Sequence, residues 1–125
     1  MKLLITWTGL ISMLFTSCTG GLNPGHDYPI RTGGTASEGA KVIVVKNCGS
    51  CHTIPGIRQA QGVVGPPLFF FSRRTFIAGE LPNTPGNLLR WIRSPQSVEP
   101  NTAMPNVGLS EQQARDVAAY LYTLR

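Results

Sequence analysis

The sequence predicts an all-α domain, three main helices joined by long irregular loops. Two observations carry that reading. Two segments combine helix start signals with apolar residues at helical spacing, and the chain between the helices is dense in turn formers, with 14 Gly and 10 Pro in 125 residues. A third observation bears on how such a domain holds together. A hydrophobic content of 42% with 14% charged residues belongs to a folded chain, yet few large apolar residues are available to build its core. So thin a core would gain from something large and apolar at its centre.

From the N-terminus, "MKLLITWTGLISMLFTSC" begins with Lys2, runs through apolar residues from Leu3 to Phe15 and ends on small ones, the layout of a secretory signal. The run is shorter than the roughly 20 residues that cross a bilayer, so residues 1–17 read as a removed leader. Its end, "FTSC", resembles the lipobox of bacterial lipoproteins, with Phe15 where Leu is usual. That resemblance implies cleavage before Cys18, a lipid on Cys18 and a domain anchored to the outer face of a bacterial membrane. A conventional cut near Gly20 or Gly21, which discards Cys18, is the alternative. Residues 18–36, rich in Gly and Pro, read as a flexible tether, and residues 37–125 as the domain.

The first helix is expected from about Ser37, as N-cap, to Cys51, because Ala40, Val44, Cys48 and Cys51 fall on one face. The "VIVV" run at residues 42–45 would by propensity alone suit a strand. A second helix fits "TPGNLLRWIRS", with Thr84 as N-cap, Pro85 at the first helical position and Pro95 as the stop. The third is the clearest. In "GLSEQQARDVAAYLYTLR", Ser110 and Gln113 make a capping box, and Ala114, Val117, Ala118, Leu121 and Leu124 form an apolar stripe.

The formal charge is +5, or +4 without Lys2 of the leader, a mild preference for acidic partners. The basic residues are scattered, with no stripe interleaved with aromatics, which argues against nucleic acid.

The run "KNCGSCHTIPG", residues 46–56, holds Cys48, Cys51 and His52 as C-x-x-C-H. A structural zinc site needs four ligands, but no cysteine follows Cys51 and His26 is the only other histidine. A redox disulfide leaves the histidine unexplained and normally sits in an α/β pattern that is missing here. Covalent haem attachment uses every member of the motif. Cys48 and Cys51, one helical turn apart, present two thiols to the two porphyrin vinyl groups, and His52 becomes an axial ligand of the iron.

The other axial position decides whether the iron carries electrons or binds small molecules. Without the leader, Met104 is the only methionine, set in "TAMPNVG" between Pro100 and Pro105, and it is the expected thioether ligand. A lone Met is more often core filler, and His26 is the runner-up.

With "CGSCH", "GPPL", "TAMP" and "ARDVAAYLYTL" in that order, residues 37–125 resemble class I monohaem c-type cytochromes. The stretch "RTFIAGELPNTPGNLLRWIRSPQSVEPNTAMP" is more narrowly similar to the cytochrome c domain fused to subunit II of bacterial haem-copper oxidases. No copper-binding domain precedes it here, so only the haem module is carried over. The resemblance implies one haem c, covalent through Cys48 and Cys51, a Pro66 carbonyl that accepts a hydrogen bond from the His52 ring, and Arg74 and Trp91 near the haem propionates. Asn83 is a further candidate there, and the choice between Arg73 and Arg74 stays open. Val117 and Tyr120 are expected to pack on the first helix near Ala40 and Val44. "FFF", residues 69–71, is unusually apolar and is expected partly to wall the haem pocket.

The implied function is a periplasmic or extracytoplasmic monohaem electron carrier rather than an enzyme, passing electrons to a terminal oxidase or similar respiratory acceptor. Lys46, Arg58, Arg73 and Arg93 are the candidate docking charges. The alternatives are a fixed haem subunit of a membrane-bound oxidoreductase complex, and an enzyme or sensor with an open iron site.

Overall fold

The computed structural model describes residues 30–125; the expected leader, Cys18, His26 and most of the tether lie outside them. Helix α1 (Ala36–Val45) starts at an extended Thr35, two residues ahead of the expected Ser37, and Thr35 caps it without its own side chain. The cap comes from the far end of the sequence. Asp116, on the C-terminal helix α3 (Glu111–Leu121), accepts the Thr35 backbone N–H at 2.8 Å and the Gln112 amide at 3.0 Å. Residues 32–34, assigned to the tether from sequence, also pack on α3. Thr32 is buried, its carbonyl accepts from Arg115, and a Cβ on Gly34 would overlap the Arg115 backbone.

Helix α1 does not run on to Cys51. After Lys46 the chain enters the left-handed region at Asn47 (φ 55°, ψ 35°), and a separate 3₁₀ turn then spans Cys48–Ser50. The stop follows from residue type, since Asn adopts this conformation more readily than other residues with a side chain and is a common helix terminator. The break also overturns the expected inward face. Val44 is 60% exposed, whereas Gly39 and Ile43 point inward. At Gly39 the two terminal helices meet so closely that a methyl group would overlap the Asp116 carbonyl and lie 3.0 Å from the Tyr120 Cβ.

Between the terminal helices lies mostly irregular chain. One short hairpin interrupts it: β1 (Phe76–Ile77) pairs antiparallel with β2 (Leu81–Pro82), in register Phe76 to Pro82 and Ile77 to Leu81. Three residues join Ile77 to Leu81; Ala78 and Gly79 take positive φ, and the Glu80 N–H returns to the Ile77 carbonyl at 3.0 Å. Helix α2 (Pro85–Arg93) follows as read from sequence, with the Thr84 hydroxyl accepting the Asn87 N–H and Pro85 in the first turn. Helix α3 carries both halves of its capping box, Ser110 to Gln113 and back. Both α1 and α2 pack on α3. Ile43, Leu88, Val117 and Leu121 from the three helices form the buried core, beside a large cavity. None of the helices among the described residues is long and apolar enough to cross a membrane.

Candidate haem site

Cys48 opens the 3₁₀ turn after Asn47 and Cys51 closes it, with the Cys51 N–H on the Cys48 carbonyl at 3.3 Å. Side chains three apart on such a turn eclipse, so the thiols share one side although α1 has already ended. They are free thiols, not joined to each other, and both line the cavity. Burial pushes the Cys48 thiol above its ordinary value. The His52 N–H returns to the same Cys48 carbonyl at 3.1 Å, so all three motif residues ride on one turn.

His52 is held from two sides. Its Nδ1 lies 2.7 Å from the Pro66 carbonyl oxygen. A carbonyl can only accept, so Nδ1 carries a proton, and in the neutral ring Nε2 is the bare nitrogen. The Gly65 backbone lies against the ring so closely that a Cβ would overlap it, and the Gly65 N–H is bonded to the Cys51 carbonyl at 2.7 Å. A glycine at this position follows from that contact.

Met104 is half-buried, packs against the core and lines the same cavity as Cys48, Cys51 and His52. Its backbone N–H donates to the Thr102 hydroxyl at 3.2 Å, and its carbonyl accepts from the Gln96 side-chain amide at 2.8 Å. Arg74 and Trp91 also line the cavity. One Arg74 nitrogen, Nη2, donates to the carbonyls of Pro67 and Phe69, and the guanidinium lies 5.6 Å over the Phe71 ring. Arg73 faces outward, over the exposed Phe70 ring at 5.7 Å.

Asn83 does not line the cavity. Its amide donates to the carbonyls of Phe71 and Arg74 at 3.0 Å each, and its oxygen accepts from Tyr122 at 2.9 Å. It thus fixes the backbone that bears Arg74. Lys46 is likewise not a free docking charge, because its ammonium donates to the carbonyls of Val107 and Gly108, both at 3.1 Å. Of the three consecutive phenylalanines only Phe71 walls the cavity, while Phe69 and Phe70 are exposed. Gln96 and Gly65 were not legible as site residues, and Lys46 was read only as a docking charge, since each acts on a partner whose position depends on tertiary folding.

The cavity encloses about 810 Å³, within the range of about 300 to 1,000 Å³ usual for ligand pockets. Its walls come largely from Ile43, Phe71, Leu88, Trp91 and Leu121. Paired thiols on one turn, a histidine with a single free nitrogen and apolar walls fit a covalently attached porphyrin. They do not fit a metal ion alone, for no three His, Cys, Asp or Glu among the described residues gather as ligands would.

Comparison with known proteins agrees. Residues 36–125 match the family Cytochrome c. The chain is similar to cytochrome c oxidase subunit 2 of Alkalihalophilus pseudofirmus, 36% identical over 106 residues, which cover 84% of this chain and 30% of the relative. It is also 36% identical over 101 residues to cytochrome c oxidase subunit 2 of Bacillus sp. (strain PS3), covering 78% and 28% of the two chains. With the Bacillus subtilis protein of the same name, identity is 30% over 94 residues, covering 72% and 26%. The chain therefore spans less than a third of the length of these relatives. It belongs to the cytochrome c family of all-α electron-transfer modules, and one haem c is held covalently through its Cys48 and Cys51.

Proposed function

We propose that the chain is an exported monohaem electron carrier whose iron is ligated by His52 Nε2 and the Met104 thioether, and that it delivers electrons to a terminal oxidase or similar respiratory acceptor. The observation that carries this reading is that His52 and Met104 line one cavity together with both motif cysteines. When bound, haem c supplies a one-electron iron couple, whose potential thioether ligation and apolar surroundings raise.

The protein's part is to hold and to exclude. The Pro66 carbonyl orients the His52 ring and strengthens it as a ligand. The apolar walls would keep water from a bound haem, and the Arg74 nitrogens not spent on Pro67 and Phe69 would be donors for its propionate carboxylates. With His52 and Met104 both holding the iron, small molecules would find no coordination site there, and the role would be transfer rather than catalysis.

Val64 and Phe76 line the cavity yet are 76% and 54% exposed, so it opens beside them and offers an apolar contact for a partner. Arg58, Arg73 and Arg93 lie at the surface and favour an acidic partner. The test is carbon monoxide. Ferrous wild type is expected to bind it poorly and Met104→Ala readily; rapid binding by the wild type would overturn the ligand assignment.

A second reading is favoured by the relatives, in which the matching stretch is part of an oxidase subunit. The chain would then be a fixed haem subunit of a membrane complex, attached through a lipid on Cys18 and the tether that follows. Copurification of other subunits at constant stoichiometry supports that reading, and isolation as a monomer reoxidised by added oxidase supports the free carrier.

A further inference from the structure

Resting on Met104 as the iron's ligand, we infer that Gln96 and Lys46 are positioning residues that hold the Met104 loop in its ligating position. The loop from Glu99 to Leu109 has no helix or strand of its own. What fixes it is side chains. Gln96, on the 3₁₀ turn Pro95–Ser97 after α2, donates its amide to the Met104 carbonyl at 2.8 Å. Lys46, at the end of α1 and two residues before Cys48, reaches across to the carbonyls of Val107 and Gly108 at 3.1 Å. Within the loop, the Thr102 hydroxyl takes the Met104 N–H and the Asn106 carboxamide takes that of Gly108.

These ties are placed for the purpose. Gln96 grips the ligand residue itself, and its turn is seated by Pro95, one of the most deeply buried side chains in the fold. Lys46 joins the loop to the segment that bears Cys48, Cys51 and His52, so both sides of the site move together. Its three ammonium donors suit two carbonyls at once. A thioether is neutral and carries no charge to draw it to the iron, so its occupancy depends on how firmly its backbone is placed.

The population with Met104 detached sets how readily an external ligand enters, because the apparent affinity scales with the fraction of competent molecules. Imidazole binding to the ferric protein reads that fraction directly. Losing one hydrogen bond should tighten apparent imidazole binding by about two- to tenfold in Gln96→Leu, and at least as much in Lys46→Met, which loses two. Gln96→Glu, which keeps the size but loses the donor, should follow Gln96→Leu, and Lys46→Arg should restore most of the wild-type value. Lys41→Met, on the same helix but paired only with exposed Glu38, should change nothing.

Met104→Ala separates the two levels of the argument. It should bind imidazole tightest of all; if it binds no tighter than wild type, Met104 is not the ligand and the assignment itself fails. If Met104→Ala tightens binding while the Gln96 and Lys46 variants stay at the wild-type value, the ligand stands and the positioning role is overturned.

Discussion

Tyr122 shows how a single buried side chain makes the fold sensitive to pH. It is 7% exposed, meets Phe71 edge to face at 5.8 Å and donates to Asn83, the residue that holds the Phe71 and Arg74 carbonyls. Burial pushes its phenol up to about 12 from an ordinary 10. Since the raised value favours the neutral phenol in the folded state, its contribution is fully present below 10 and lost as the pH rises through about 12. Burial also raises Tyr120, so part of the alkaline loss will remain in Tyr122→Phe. The variant should cost about 1–3 kcal/mol at neutral pH, because the Asn83 oxygen loses its donor. Denaturant midpoints across the alkaline range should fall less steeply in it than in the wild type; equal slopes would count against this role.

At the scale of elements, the decisive feature is the left-handed residue between α1 and the haem-binding turn. Asn47 ends the helix, and only then can Cys48, Gly49 and Ser50 form the tighter turn that carries both thiols. Asn47→Ala should cost about 1–2 kcal/mol, the usual penalty for a Cβ in that region without a compensating polar side chain, whereas Asn47→Gly should be tolerated. Thermal unfolding of the two holoproteins checks this. Much of the element order was legible because its signals are local. Thr84 with Pro85, and Ser110 with Gln113, are caps written within a few residues, and both helices begin where those caps place them. The first helix was misjudged at both ends. Its N-terminal partner, Asp116, is 81 residues away from Thr35, and its end depends on one backbone angle at Asn47. The regular spacing of Ala40, Val44, Cys48 and Cys51 suggested one face, but Val44 turned out exposed once the helix stopped short. The haem motif itself is contiguous and could be read directly; Gln96, Lys46 and Asn83 reach their partners only through the fold.

At the scale of the whole molecule, the three helices and the loops between them surround a space rather than fill it. Without haem, the apolar lining of the 810 Å³ cavity, Ile43, Phe71, Leu88 and Leu121 among it, would face water instead of a packed neighbour. The haem is therefore the missing part of the core, and a Cys48→Ala, Cys51→Ala protein made without attached haem should lose most of its helical circular dichroism. A native-like spectrum from that apoprotein would contradict this. The same central placement brings His52 from the N-terminal side and Met104 from the C-terminal side to one cavity, and the proposed carrier role rests on both holding the iron. The near-infrared absorption of the ferric holoprotein tests that claim most directly. The account predicts the weak methionine-to-iron band in the wild type and its loss in Met104→Ala; a wild type without the band, or a band unchanged in the variant, would contradict it.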